Sequence, residues 1–342
     1  MTDSQMRMRG WVLALAIIAV GVFLYLIRGI LAPFVVAIAL AYILSPIGHW
    51  LEWRLRLPRV AAVVLLYVLV FGPLAALFAI FGPTLVRDTT LFVANLPFIL
   101  ANLLRQLLGG EEVVVFGQQL QASLLAQTLV RAVRDFLGTP QEAARVARGV
   151  IEFGFNAFLS LVLLFYLLID RERITKWALN LVPAPARSRA EYILWQVNLV
   201  LGRYLRGILF LISFMSIATW LGLFLLFRLP YAVPIAVATG FLEIVPFAGP
   251  VAAGTIAGIV ALTHGGLGLL VSVVLFYVIL RQVEDQVVSP NVLGRAVELH
   301  PVGIIFAVLA GGALAGILGV LLAVPVAAAV KVGLENWHAD ET

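Results

Sequence analysis

Glu243 stands in an otherwise apolar stretch, Phe241-Leu-Glu-Ile-Val-Pro-Phe-Ala-Gly-Pro250. A carboxylate at membrane depth is costly unless it is paired, protonated or facing water. Pro246 and Pro250 each remove a backbone donor, and Gly249 permits a turn. The segment is therefore expected to be a broken helix. Its freed carbonyl and amide groups are tolerated only against protein or a polar cavity. Discontinuous helices of this kind build ion and solute sites in transporters. The plainer account of the same residues is a proline kink with Glu243 snorkelling or capping.

A second polar group follows: Arg281, Gln282, Glu284, Asp285 and Gln286, then Pro290-Asn291-Val-Leu-Gly294. Arg281, Glu284 and Asp285 are three and four apart, so they share one face if a helix continues through them. A solvated helix end with an internal ion pair is the bland reading. The third feature is a glycine series in the last apolar segment: Gly303, Gly311, Gly312, Gly316 and Gly319, then Pro325. Gly312 with Gly316, and Gly254 with Gly258, form small-xxx-small pairs that let helices approach closely. Packing is the first expectation for them and a hinge the second. Asn156, Asn198 and Arg203 are weaker polar candidates.

No hydrolytic, redox or nucleotide-binding motif is present. Glu243 and Asp285 have no visible nucleophile or metal partner, so the chain does not read as an enzyme. His49, His264, His300 and His338 are far apart in sequence, and no metal site or cofactor is expected from them. Cysteine is absent, which excludes disulfides and thiolate ligands.

These residues need a scaffold, and composition indicates its kind. Of 342 residues, 63% are hydrophobic and 12% charged, where a soluble domain holds about 25% charged. The excess apolar side chain needs hydrocarbon as its solvent. The fold class is all-α: a polytopic membrane protein of about eight transmembrane segments, with broken helices and a helical extramembrane or interfacial region. Apolar runs of spanning length lie at about 11–27, 30–47, 60–81, 151–169, 207–227, 231–262, 267–280 and 301–332. Pro246, Gly249 and Pro250 break the sixth, and Thr263-His264-Gly265-Gly266 forms a tight turn before the seventh. The chain divides into N-terminal spans (1–81), an amphipathic helical region (82–150), a span with a basic amphipathic helix (151–206), and a C-terminal bundle (207–342). Within 82–150, Leu96, Ile99, Leu100, Leu103, Leu104 and Leu107 recur at helical spacing, and a second amphipathic helix runs from 118 to about 137. Pro33–Pro46 and Pro234–Pro246 enclose similar apolar runs, which points to an inverted repeat.

Positive charge, +5 net and nearly all arginine, lies between the apolar runs and reads as topology, not as nucleic-acid binding. With eight crossings, Arg7, Arg9, Arg54, Arg56, Arg59, the basic residues from Arg171 to Arg206 and Lys331 share one side. Arg28, Arg228, Arg281 and Arg295 take the other. Both termini are then cytoplasmic.

The C-terminal half resembles the autoinducer-2 exporter family of bacterial membrane proteins. The resemblance is carried by Leu205-Arg206-Gly207, by Ile244-Val-Pro-Phe-Ala-Gly-Pro250, and by Glu284-Asp285 through Pro290-Asn-Val-Leu-Gly294. It continues in Leu299-His-Pro301 and in Gly311-Gly-Ala-Leu-Ala-Gly316-Ile-Leu-Gly319-Val-Leu-Leu-Ala-Val-Pro325. The N-terminal half matches by layout. The resemblance implies a helical transporter in the bacterial cytoplasmic (inner) membrane that forms a homo-oligomer, with a pentamer among the implied assemblies. Some members are associated with autoinducer-2 export and others with sodium–proton antiport. The expected function is secondary export of a small polar solute or signal molecule. Sodium–proton antiport through Glu243 or Asp285 is the alternative. A membrane scaffold binding a partner through 82–148 is the reading of another class. The expected partners are the lipid bilayer, a small-molecule or ion substrate, and further copies of the chain.

Overall fold

The structure is a computed structural model that describes residues 28–108, 112–115, 118–121, 140–245, 248–292 and 299–337. The run expected at 11–27 lies outside the described residues, as do Pro246, Arg295 and His338. The described chain is helical apart from one two-stranded ribbon. In order it contains α1 (Arg28–Leu55), α2 (Arg59–Leu108), β1 (Glu112–Val115), β2 (Gln118–Gln121), α3 (Pro140–Ile169), α4 (Arg171–Asn180) and α5 (Arg187–Leu221). These are followed by α6 (Ala232–Leu242), α7 (Ala248–Val283), α8 (Ser289–Val292) and α9 (Pro301–Trp337). Five-residue π turns close α5 (Gly222–Leu226) and α7 (Glu284–Val288).

Several boundaries differ from the sequence expectation. The run at 60–81 and the amphipathic stretch around 96–107 form one helix, α2, of 50 residues. Gly82 and Pro83 do not end it, and a β-carbon at Gly82 would touch only Phe78 of the same helix. Membrane helices tolerate such residues where neighbours re-satisfy the backbone. The segment expected to be helical from 118 begins instead as strand, with Gln118 opposite Val115 and Gln121 opposite Glu112. Residues 122–137 of that segment lie outside the described ones. The basic segment and the fifth span are continuous in α5, entered from the Pro183–Pro185 elbow through a short 3-10 turn. Pro33 and Pro46 both lie inside the unbroken α1, whereas the helix holding Pro234 ends at Leu242. The first run thus lies within one helix, whereas the second leaves its helix at Leu242, and its closing proline is outside the described residues.

Among the described residues, four helices are long and apolar enough to cross a membrane. The count is five if the pair Gly154–Ile169 and Arg171–Asn180, bent by 76°, forms one span. The expected count of eight is not confirmed among the described residues, which leave out the first expected run. Two of the expected spans, at 231–262 and 301–332, are built from shorter pieces. α6 has 11 residues, about 16 Å of helix, or half of the roughly 30 Å of hydrocarbon. α9 divides at Ala315 and Gly316 into apolar arms Val302–Gly316 and Leu318–Gly333.

The arms of α9 fold back on each other. A β-carbon on Gly311 would lie 2.4 Å from the Gly319 carbonyl oxygen, and one on Gly319 would lie 1.8 Å from that of Gly311. Only two glycines permit that approach. α7 is likewise a hairpin, turned at Gly266 (φ 71, ψ −164), where the sequence placed a tight turn. Gly254 of its first arm faces Tyr277 of the second at 3.7 Å, and Gly258 faces Leu270 at 3.2 Å.

Three apolar cores hold these elements. Ala37, Leu44, Ala62, Leu66 and Leu164 join α1, α2 and α3. Leu223, Ile235, Ala257, Val260 and Val273 join the end of α5 to α6 and α7. Tyr204, Leu205, Ile208 and Val324 join α5 and α9 to Ala39 of α1. α2 begins in the first core and reaches the second with Phe92. There Asn95 Nδ2 donates to the Tyr231 hydroxyl at 2.9 Å.

Candidate functional site

The site begins where α6 stops. The Glu243 N–H closes the last turn onto the carbonyls of Thr239 (3.2 Å) and Gly240 (3.3 Å), and the Val245 N–H donates to Leu242 O at 2.9 Å. α7 starts at once, with the Gly249 N–H on Val245 O at 3.0 Å. A β-carbon on Gly249 would lie 1.8 Å from Leu242 O, so the break can be this tight only because residue 249 is glycine. Gly240 does the same for the seat of α6 on α5: its β-carbon would meet Ser216 Oγ at 1.9 Å and Ile212 O at 2.6 Å. The end of α6 is thereby fixed, and it carries Glu243 inward with its side chain only 7% exposed.

Arg281, near the end of the second arm of α7, meets this carboxylate. Its Nη1 donates to Glu243 Oε1 at 2.7 Å. The same nitrogen lies 2.7 Å from Glu284 Oε2. Asp285 takes the other edge of the guanidinium as a fork, Nε to Oδ2 at 2.9 Å and Nη2 to Oδ1 at 2.8 Å. Such planar, two-point recognition is what arginine offers and lysine does not. Glu284 opens the π turn, and its side chain is 3% exposed. π turns inside helices often occur at functional positions.

One guanidinium thus holds three carboxylates, two of them buried. The balance is incomplete in a specific way. Glu243 Oε2 is buried with no hydrogen-bond partner. Glu284 Oε2 is in ion contact with Arg281 but outside hydrogen-bonding direction, so it too lacks a hydrogen bond. Buried charged oxygens without partners are costly. Three acids share one guanidinium, so the group carries an excess of negative charge.

A groove of about 620 Å³ runs beside this group, between the two arms of α7. Val251, Ile259, Leu270 and Val274 form its apolar walls, and Leu103 of α2 closes one side. Arg281 and Gln282 lie at the end next to Pro250. Its inner polar atoms are those of Thr239, whose hydroxyl donates to Ile235 O at 2.8 Å and lies 3.1 Å from the Tyr277 hydroxyl.

The residues singled out from sequence separate accordingly. Glu243, Arg281, Glu284 and Asp285 converge, with Gly249 and Pro250 shaping the break beside them. Asn291 does not join them; its amide donates to Val287 O at 2.7 Å within its own helix. Asn156 lies on α3, where its carbonyl accepts from Ser160 Oγ. Gly311, Gly312, Gly316, Gly319 and Pro325 belong to the α9 hairpin, and Pro325 is fully buried there. Gly254 and Gly258 keep the arms of α7 close and line the groove. Sequence reasoning did not single out Thr239 or Tyr277, and it placed Leu103 only on the apolar face of an amphipathic helix. Their only signal is helical spacing, and they meet only because α7 folds back. A smaller polar pocket of about 270 Å³ lies in the other half. There Arg171 donates to Ser45 Oγ at 2.6 Å, and the Tyr42 hydroxyl bonds Asn198 Oδ1.

Among the described residues no three His, Asp or Glu side chains converge as a metal cage. The centre of the carboxylate group is filled by the guanidinium. Large apolar residues such as Phe78, Val251 and Phe306 are exposed along the helices, as lipid contact requires. Together these features define a multi-pass helical membrane protein with a charged centre at a helix break. The family of AI-2E transporters matches residues 13–339, and the chain belongs to that family. "Putative transport protein YrrI" of Bacillus subtilis (strain 168) is 30% identical over 310 residues, covering 91% of this chain and 87% of its own. "Putative transport protein YueF" of the same organism is 28% identical over 323 residues, covering 92% and 86%. "Putative permease PerM" of Escherichia coli (strain K12) is 28% identical over 338 residues, covering 95% and 93%.

Proposed function

We propose that the chain is a secondary transporter that exports a small solute or signal molecule, driven by charge exchange at Glu243, Arg281, Glu284 and Asp285. One observation carries this reading: a buried glutamate with an unpartnered oxygen, at a break between helices, held by an arginine from another arm. A protein that needed only to be anchored would gain nothing from the cost of that burial. The family supports transport as the class. Sodium–proton antiport is the second reading, favoured by the excess of carboxylates over guanidinium. The protein sits in the bacterial cytoplasmic membrane with its termini inside. In support, Arg59 donates to Leu168 O and pairs with Glu172, and Arg171 reaches Ser45. These contacts gather the basic ends of α1, α2 and α4 beside the end of α3, in keeping with the positive-inside rule. The family resemblance further leads us to propose a homo-oligomer, the pentamer included.

Flux in proteoliposomes tests the reading. Autoinducer-2 export and sodium-dependent proton flux are measured in parallel, with and without a proton gradient. Glu243→Gln keeps the shape and removes the charge, and both fluxes that the native protein shows should fall at least about tenfold. Unchanged flux from folded Glu243→Gln protein refutes the site. Loss of sodium-dependent proton flux alone selects the antiporter.

A further inference from the structure

We infer that the groove in α7 and the carboxylates behind its polar end form one binding site for an amphipathic organic cation: an alkyl or aryl ammonium whose apolar body lies between the arms of α7 and whose head reaches Glu243 and Glu284. The inference deepens the transporter reading by naming the substrate class of the same centre.

Three observations converge on this ligand. The walls between Val251, Ile259, Leu270 and Val274 are apolar, and the volume of about 620 Å³ suits a body of drug-like size. A densely hydroxylated solute would find almost no partners there. The polar end is marked by Arg281, but that guanidinium is already taken by Glu243, Glu284 and Asp285. With three acids to one base, the end attracts cations and repels a carboxylate or phosphate head. Finally, Glu243 is 93% buried by its side-chain exposure of 7%, and its Oε2 has no donor. Glu284 Oε2, on a side chain 3% exposed, lacks a hydrogen bond as well. An ammonium supplies the N–H donors that these two oxygens lack, and a positive charge beside Glu243 Oε2, whereas Glu284 Oε2 already has that of Arg281 at 2.7 Å. Lipid chains could fill the apolar part, but a neutral or anionic lipid would leave both oxygens as they are.

The experiment uses the full-length protein in nanodiscs of phosphatidylcholine, with octylammonium as probe and binding read by calorimetry. Octanol, octanoate and methylammonium are the controls, giving the chain without charge, the chain with opposite charge, and the charge without chain. Octylammonium should bind at least about tenfold more tightly than any of the three. Val274→Trp, which fills the groove away from the charges, should abolish binding. Gln282→Glu, at the exposed polar end, should tighten it, and this variant removes no buried contact. Glu243→Gln should weaken it by about tenfold or more. Equal binding of octanol or octanoate overturns the inference and makes the groove a lipid seat. Equal binding of methylammonium makes the site an ion site only and overturns it as well. A change of oligomeric state with Val274→Trp, without octylammonium binding in the native protein, assigns the groove to a second copy. The two readings fail separately: tight octylammonium binding without flux of any solute overturns transport and leaves the site, whereas solute flux without octylammonium binding does the reverse.

Discussion

Pro46 lies inside α1 and has no N–H to give. In an unbroken ladder that N–H would bond the carbonyl four residues earlier, which is Tyr42. Arg206 of α5 fills the vacancy, its Nη1 donating to Tyr42 O at 3.1 Å. Arg206→Met keeps most of the stem and removes the donor. A hydrogen bond to a charged group is worth about 1.5–3 kcal/mol, and because Arg206 is exposed and water can partly substitute, about 1–2 kcal/mol is expected here. Pro46→Ala restores the missing N–H. In that background Arg206→Met should cost less than about 0.5 kcal/mol, so the two changes couple by about 1 kcal/mol. Gly202→Ala gives an independent check: its β-carbon would lie 3.0 Å from Arg206 Nη1, displacing the guanidinium and behaving as a weaker Arg206→Met. The four proteins of the cycle are compared by reversible unfolding in a mixed detergent titration. If Arg206→Met costs the same with and without Pro46, the two effects are additive and the argument is wrong.

Gly249→Ala drives a methyl into the Leu242 carbonyl at 1.8 Å. Both groups are fixed by backbone, so a loss of about 3 kcal/mol or more is expected in the same titration, together with loss of flux; a stable, active variant would contradict the described break. Gly311→Ala and Gly319→Ala should each cost about 1–3 kcal/mol by forcing the arms of α9 apart, with faster amide hydrogen exchange in both arms as the readout. Gly266→Ala should cost about 1–3 kcal/mol because φ 71 with ψ −164 is a region for glycine. Gly268→Ala, in open space two residues on, should be neutral or stabilising by about 0.5–1 kcal/mol, and equal losses at both positions would refute the conformational argument.

Much of the site was legible before the structure. A lone acid among apolar residues, two prolines and a glycine marked the break, and three- and four-residue spacing put Arg281, Glu284 and Asp285 on one face. These are local signals, set by backbone chemistry and helical period. The meeting of Glu243 with Arg281 was not legible, because it depends on α7 folding back at Gly266 and on the seat of α6 against Ser216. The groove was hidden for the same reason; Gly254 and Gly258 looked like packing glycines, and they are also its floor. The extent of α2 was misjudged because Gly82-Pro83 ends helices in water, where the freed groups are readily solvated, and fails to end this one. The strand at Gln118–Gln121 was missed because leucines at helical spacing follow directly, and short apolar runs do not distinguish helix from strand. The link between Arg206 and Pro46 joins residues 160 apart by number, with no periodicity to reveal it.

The α9 hairpin has a consequence for topology. A chain that enters at Val302, turns at Gly316 and returns through Gly333 comes back to the side from which it started. In parity terms the hairpin counts as zero, whether its tip stops halfway or reaches the far headgroups. The end of α9 at Trp337 therefore lies on the same side as its start beside His300. A reporter fused directly after Trp337 should thus read the same side as one fused directly after His300, in a chain truncated there.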